Sequence, residues 1–378
     1  MRIYHASKQR RHYIYVPDFY LGYAHAKNNQ FVWRGNDDHP EFKTHQRTNA
    51  FGLLGSDIER EKPSGTYRIL VLGDSYTEGF QVDEEEKFCT LLQNELTRRY
   101  GRQGRRFEVL NAGVRGYSPI TQYLKYKLLA SKLDPDFVIL QVFANDVSED
   151  NHVRAKSLVD ADGLPLKINR YFSQMLKGEY QTKSKDLSIP KWALDIHEKL
   201  MDVSLLYEYL HVHAMKLAKR GAYNRQMCAI PEFHEGYQFY IVQNHGEEEI
   251  FGEKDFRLKR LSWTEKYITA LKESVEKDRK GFLMFLIPLE AQLKLKEYGY
   301  HTNLFFFGGT THLFNERLNQ LSKEKMIDFI DMTEKFQKHA EEDLYFHWDG
   351  HLTQAGHRVV ANRLVSYFDD YFSPQDKP

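Results

Sequence analysis

The sequence predicts an α/β fold, a flavodoxin-like three-layer α/β/α sandwich built on about five parallel strands. Short runs of consecutive apolar residues have the length and composition of strands that are buried on both faces. Segments with apolar residues at helical spacing alternate with these runs, as is typical of a parallel sheet covered by helices on both sides. Because crossovers between parallel strands are right-handed, a flavodoxin-like strand order is favoured.

The first predicted strand comprises residues 69–72, four apolar β-formers that end at Gly73. Asp74 and Ser75 follow in a tight turn, and a polar segment compatible with a helix comes next. A strand, turn and helix in this order place the turn at the carboxyl edge of the sheet, where open α/β folds bind ligands. We therefore expect the Ser75 hydroxyl at this edge, beside helix-opening amides that can stabilise negative charge.

The other predicted elements continue the alternation of strands and helices. Further strands are expected at residues 107–110, 135–142, 281–287 and 326–330. Helices are expected at residues 84–100, 120–131, 263–277 and 352–367, the last with Thr353 as its N-cap.

Two segments lie outside this alternation. Residues 1–64 are polar and aromatic with clusters of turn formers, and we expect an N-terminal extension that packs on the main domain at 65–378. Residues from about 151 to 262 are expected to form a helical cap inserted in that domain, with most of their aromatic side chains in its core. The run 304–309, L-F-F-F-G-G, predicts either a hydrophobic lid with a glycine hinge or a segment buried against the insertion.

Composition and charge narrow the classes of function. The chain has 53 Lys and Arg and 53 Asp and Glu, so nothing favours a nucleic-acid partner. Cys89 and Cys228 have neither metal-ligand spacing nor the density of a disulfide scaffold, and are expected to be free thiols. No apolar run is long enough to span a membrane, and the first residues lack the apolar segment of a signal peptide. As written, the chain is expected in the cytoplasm, or in the periplasm or tethered to a membrane if an upstream anchor precedes it.

Four loops at the predicted carboxyl edge carry residues with catalytic chemistry. They are Ser75 after the first strand, Gly116 in N-A-G-V-R-G, Asn145 in F-A-N-D, and Asp349 with His351 in F-H-W-D-G-H-L-T. Each residue alone has a structural explanation, such as an N-cap, a turn glycine or a loop histidine. Together, in this order and at this edge of the sheet, they indicate an active site.

The segment G-D-S-Y-T-E-G around Ser75, followed by the three later loops in order, resembles the SGNH or GDSL-like hydrolases. The resemblance covers roughly residues 49–150 and 281–368. It implies that Ser75 is the nucleophile, His351 its base, and Asp349 the carboxylate that orients the imidazole. It also implies an oxyanion hole formed by the amides of Ser75 and Gly116 and by the side-chain amide of Asn145. Such chemistry needs no metal, so neither a cofactor nor a metal is expected.

One position departs from the family's pattern in the third loop. Phe143 stands where the family usually has glycine, in G-x-N-D. The larger side chain predicts a changed pocket wall next to Asn145.

The spacing of the fourth loop also departs from the commoner family pattern. Asp349 and His351 give D-x-H, which resembles the branch that handles acetyl groups on polysaccharides, although Leu352 stands where that branch usually has tryptophan. His347, two residues before Asp349, is a competing base. His357 lies inside the last helix and is expected to be structural.

The resemblance implies an ester hydrolase that forms an acyl-Ser75 intermediate, with a small-molecule or carbohydrate ester as substrate and acetyl as the favoured acyl group. Three alternatives remain: a polysaccharide O-acetyltransferase with the same triad, a lipid esterase or thioesterase, and a non-catalytic binding module. The segment from Gly73 to Gly79 does not match the P-loop motif that binds nucleotides. Its glycine spacing is one residue too long, and Phe80 follows where lysine is needed.

Overall fold

The computed structural model describes residues 14–35, 40–101, 105–155, 157–168, 254–293 and 313–373. The aromatic side chains predicted in the cap core, the run 304–309 and Cys228 lie outside these ranges. None of the helices within the ranges combines the length and apolar composition needed to cross a bilayer.

Two antiparallel hairpins precede the main sheet. β1 (Tyr15–Asp18) pairs with β2 (Gly22–His25), and β3 (Asn29–Arg34) pairs with β4 (Lys43–Thr48). The sequence predicted an extension here but no strands. The reason is visible in β4, whose buried positions are Thr44, Gln46 and Thr48. Since its inward face is polar, the strand lacks the apolar alternation that identifies half-buried strands.

A five-stranded parallel sheet forms the centre of the molecule. Its strands are β5 (Thr66–Leu72), β6 (Arg106–Asn111), β7 (Phe137–Val142), β10 (Gly281–Leu286) and β11 (Asp328–Asp331). Their order across the sheet is β11-β10-β7-β5-β6, and every neighbouring pair is parallel. This is the flavodoxin-like order, so the predicted fold class is confirmed. A short hairpin of β8 (Ser157–Val159) and β9 (Pro165–Ile168) follows β7 along the chain.

Helices cover the sheet. In chain order they are α1 (Ser75–Glu78), a 3₁₀ turn (Glu84–Glu86), α2 (Phe88–Tyr100), α3 (Pro119–Leu133), α4 (Asp146–Arg154), α5 (Lys254–Lys277), α6 (Glu290–Leu293), α7 (Leu313–Lys325), α8 (Thr333–Gln337) and α9 (Gln354–Phe372). α2 packs on α9, whereas α5 packs on α3 and α4. Because the strand order reverses between β6 and β7, right-handed crossovers place α2 and α3 on opposite faces.

Among the predicted boundaries that differ from the observed ones, two have a clear local reason. The predicted helix 84–100 is interrupted at Lys87, whose backbone is extended, so a 3₁₀ turn precedes α2. The predicted last strand began at Met326, but this residue has a φ of 52° and is exposed. A left-handed backbone conformation cannot continue a strand, and β11 begins two residues later.

The topology brings three of the predicted loops together. β5 lies between β6 and β7, so the loops that follow these strands are neighbours at the carboxyl edge. They carry Ser75, Gly116 and Asn145, respectively. The strand order reverses at β5, and such a switch point is where doubly wound sheets bind ligands.

Candidate active site

Ser75 is the first residue of α1 and follows β5 after a two-residue turn. The N-cap of α1 is Asp74, whose Oδ1 accepts a hydrogen bond from the Tyr76 amide at 2.9 Å. The Ser75 hydroxyl is therefore not used to cap this helix. Gly73 is required by close packing, because a Cβ there would lie 2.5 Å from Gln141 Oε1 on β7. The turn is thus held against β7, with the serine at the edge of the sheet.

Ser75 and His351, separated by 276 positions in the chain, are in hydrogen-bond contact. His351 Nε2 lies 2.8 Å from Ser75 Oγ, and His351 Nδ1 lies 2.6 Å from Asp349 Oδ1. Both Ser75 and His351 are buried. His347, the competing base, is exposed, and its ring lies edge-on to Trp348 with the centroids 4.9 Å apart. The structure therefore brings together the three residues that the sequence predicted as a triad.

The Asp349 carboxylate is ionised and accepts a hydrogen bond from His351. Burial alone would raise its pKa, but the hydrogen bond and the charge interaction with His351 outweigh that effect and lower the pKa below its usual value. The carboxylate stays ionised at neutral pH. It accepts from one imidazole nitrogen and leaves the other facing the serine.

Tyr76 connects the serine loop to the histidine loop. Its hydroxyl donates to Gly350 O at 3.0 Å, and its ring lies 4.9 Å from the His351 ring between centroids. The Phe143 ring also packs on Tyr76, with the ring centroids 4.3 Å apart. Phe143, which replaces the family's glycine, is therefore a buried wall that supports Tyr76 and, through it, His351. Phe143 departs from the family pattern and could be identified from the sequence, whereas no sequence signal pointed to Tyr76.

Glu41, in the segment between β3 and β4, reaches the histidine loop from the N-terminal extension. Its carboxylate accepts from the Trp348 amide at 3.0 Å and from the Asp349 amide at 2.9 Å. Next to it, Phe42 packs edge-on against Phe346 at 5.0 Å. No sequence signal identified Glu41, because an isolated glutamate in a polar segment has no motif.

The predicted oxyanion-hole residues occupy the two loops beside Ser75. Gly116 has a φ of 73°, a conformation that glycine adopts without the strain a side chain would cause. Asn145 is the N-cap residue of α4, yet its side chain makes no capping hydrogen bond. Its buried Oδ1 has no hydrogen-bond partner among the described residues. Capping, the structural explanation for this asparagine, is therefore wrong for the side chain.

Residues 71–177 match the sequence model of the GDSL-like lipase/acylhydrolase family. This segment of the chain is similar to GDSL-like lipases and acylhydrolases. The family resemblance predicted from the order of the four loops is confirmed for this segment, and the match supports an ester-bond hydrolase. A search of curated proteins gives no significant match.

Several solved structures are similar to this hydrolase at low identity. An acetyl xylan esterase is 16% identical with a TM-score of 0.42, and the match covers 79% of this chain and 98% of that one. A mutant of an acetyl-xylooligosaccharide esterase from Geobacillus stearothermophilus is 12% identical, with a TM-score of 0.40 and coverage of 82% and 95%. A psychrotrophic esterase from Pseudoalteromonas sp. is 12% identical, with a TM-score of 0.38 and coverage of 80% and 97%.

Two buried carboxyls, Asp74 and Asp146, are the chain neighbours of Ser75 and Asn145. Burial raises the pKa of Asp74 to about 7. Burial, followed by repulsion from Asp74, raises the pKa of Asp146 well above its usual value. Asp146 Oδ2 accepts from the Phe143 amide at 2.9 Å, and so stabilises the start of α4 next to Asn145.

His357, expected to be structural, lies in the core of the hydrolase. Its Nδ1 accepts from the Phe88 amide at 3.3 Å, and its ring stacks on Phe88. Burial, with the charges of Lys87 and His351 as lesser causes, lowers its pKa to about 3. The imidazole is therefore neutral in the folded protein at any moderately acidic pH.

The buried His357 predicts acid sensitivity of the fold. Below pH 6.5 the unfolded chain takes up a proton at this residue and the folded protein does not, down to about pH 3. As the pH decreases through this window, the free energy of unfolding should therefore decrease. This group contributes up to about 1.4 kcal/mol per pH unit. Urea unfolding between pH 7.5 and 5 should show a smaller loss for His357→Gln than for wild type. Equal losses in the two proteins would contradict the prediction.

Proposed function

We propose that this hydrolase removes short acyl groups, acetyl above all, from a carbohydrate through an acyl-enzyme on Ser75. The observation that carries the proposal is the contact of His351 Nε2 with Ser75 Oγ at 2.8 Å, while Asp349 holds the opposite ring nitrogen at 2.6 Å. A serine hydroxyl becomes a competent nucleophile when a positioned base takes its proton.

Acylation begins with attack of Ser75 Oγ on the ester carbonyl carbon as His351 Nε2 takes the hydroxyl proton. Asp349 keeps the imidazole in the correct tautomer and stabilises its charged form. The amides of Ser75 and Gly116 and the side-chain amide of Asn145 donate to the oxygen that becomes negative. When the tetrahedral intermediate collapses, the alcohol leaves with the proton held on His351.

Deacylation repeats these steps with water as the nucleophile. His351 takes a proton from water, the hydroxide attacks the acyl carbon, and the same donors stabilise the second tetrahedral intermediate. Collapse returns the proton to Ser75 Oγ and releases the carboxylic acid. The free serine is regenerated, so no other reactant is consumed.

Two features support a short acyl group on a sugar. The D-x-H spacing of Asp349 and His351 resembles the branch that handles acetyl groups on polysaccharides. Phe143 places a buried phenyl group where the family usually has glycine, packed on Tyr76 beside His351. Added bulk in this wall favours a small acyl group over a long chain.

Acyl-chain selectivity tests the proposal. The value of kcat/KM should fall by about tenfold or more from p-nitrophenyl acetate through butyrate to octanoate. The reason is that the wall formed by Phe143 leaves little room for additional methylene groups. Wild type should also release acetate from a peracetylated sugar, and Ser75→Ala should not.

The alternatives give different results in the same assay. A preference for octanoate would contradict the proposal and indicate a lipid esterase. Transfer of acetyl to an added sugar, detected by mass spectrometry, in place of acetate release would indicate an O-acetyltransferase. Folded wild type without turnover on any ester would contradict an enzymatic role for these substrates.

A further inference from the structure

The peptide between Arg115 and Gly116 is held by a side chain from the N-terminal extension. The Tyr23 hydroxyl donates to Arg115 O at 2.5 Å. This carbonyl and the Gly116 N–H belong to one planar trans peptide, so they point in opposite directions. Fixing the carbonyl therefore fixes the direction of the amide that the proposed function places in the oxyanion hole.

The other main-chain group of Arg115 is held as well. Its N–H donates to Glu78 Oε1 at 3.1 Å. The accepting carboxylate belongs to α1 and is buried. The same oxygen is contacted by the Tyr15 hydroxyl at 2.8 Å and by His25 Nε2 at 2.6 Å. Both of these partners lie in the β1–β2 hairpin. The hairpin thus acts on Arg115 from two sides, directly at its carbonyl and through Glu78 at its amide.

Tyr23 is itself fixed. It is 1% exposed, and its ring packs edge-on against Tyr15 and Tyr117, with centroids 5.8 and 5.2 Å away. The Tyr117 hydroxyl also donates to the carbonyl of Tyr23. A hydroxyl held this rigidly loses little further freedom when it makes its hydrogen bond, so it orients its acceptor well.

We propose that Tyr23 is a positioning residue for the oxyanion hole, which aims the Gly116 amide at the substrate by holding the carbonyl of Arg115. Tyr15 and His25 contribute through Glu78. A hydrogen bond to the carbonyl also polarises the peptide and makes its N–H a stronger donor. Donors fixed before the reaction stabilise the developing charge without reorganisation, which lowers the barrier more than it improves substrate binding. The inference rests on the proposed function, because it needs an oxyanion at this site.

The test is Tyr23→Phe, which removes one hydroxyl and keeps the ring. We expect kcat on p-nitrophenyl acetate to fall by about tenfold, less than the loss from removing an oxyanion donor outright, with KM nearly unchanged. Tyr126→Phe is the matched control. Tyr126 lies in α3, and its substitution removes a comparable hydrogen bond from its hydroxyl to Asp278 Oδ2 at 2.7 Å. Its kcat should equal that of wild type, and melting temperatures should establish that both variants are folded at the assay temperature.

The outcomes separate this inference from the proposed function. If folded wild type shows no turnover that depends on Ser75, the proposed function fails and the role of Tyr23 falls with it. If wild type is active and Tyr23→Phe matches it, or if kcat falls equally in both tyrosine variants, only the role of Tyr23 is overturned. Should Tyr23→Phe fail to fold, Tyr15→Phe provides the second arm. A lower kcat at constant KM would support the role of the hairpin, and an unchanged kcat would overturn it.

Discussion

Ser75→Ala should lower kcat by about 10⁴-fold or more, and adding His351→Ala should cost little beyond the single substitution. In the proposed mechanism the hydroxyl and the imidazole act in one proton transfer, across the 2.8 Å contact between Oγ and Nε2. Once the nucleophile is absent, the base has no proton to take. Kinetics on p-nitrophenyl acetate for the two single variants and the double variant measure this non-additivity.

His347→Ala is the matched control for the histidine, because it lies four residues away in the same loop and is exposed. It should retain wild-type kcat within about twofold, as expected for a surface substitution outside the reaction. Additive losses in the double variant would contradict a shared step. A large loss in His347→Ala with an active His351→Ala would reassign the base.

How far the sequence could predict the fold depended on what each strand buries. β5 and β7 are buried on both faces and consist mainly of apolar residues, so their composition alone identified them. β4 buries threonine and glutamine, which bond to the carbonyls of Phe80 and Val82 and not to an apolar core. A single sequence gives no sign that these polar side chains point inward, and the hairpins of the extension were missed.

The site shows the same division. Ser75, Gly116 and Asn145 could be predicted as neighbours because each follows a recognisable strand within a short motif, and adjacent strands bring their loops together. Tyr76 and Glu41 were missed because they act through hydrogen bonds to backbone groups 274 and 307 positions away. Backbone groups have no sequence identity, so no pattern of residue types predicts such contacts. The domain boundaries at about 64, 151 and 262 stay predictions.

Asn145→Ala should lower kcat by about 100- to 1,000-fold, the usual loss when one oxyanion-hole donor is removed. The side chain neither caps α4 nor, through its buried Oδ1, bonds to any described residue. The fold therefore loses no observed side-chain hydrogen bond in the variant, and the cost should fall on the transition state. KM should change much less than kcat, because the ground-state carbonyl carries little of the charge that the amide stabilises.

Asn151→Ala, less than two turns further along α4, is the matched control. Its Nδ2 donates to the carbonyl of Val147 at 2.6 Å, so its removal takes an existing hydrogen bond from the same helix. Because Asn151 has a structural role, Asn151→Ala should be less stable than Asn145→Ala and keep a near-normal kcat. A role in the oxyanion hole predicts the reverse for Asn145→Ala, a normal melting temperature with a large loss of kcat. If Asn145→Ala keeps kcat within threefold of wild type, the amides of Ser75 and Gly116 suffice and the asparagine has no place in the reaction.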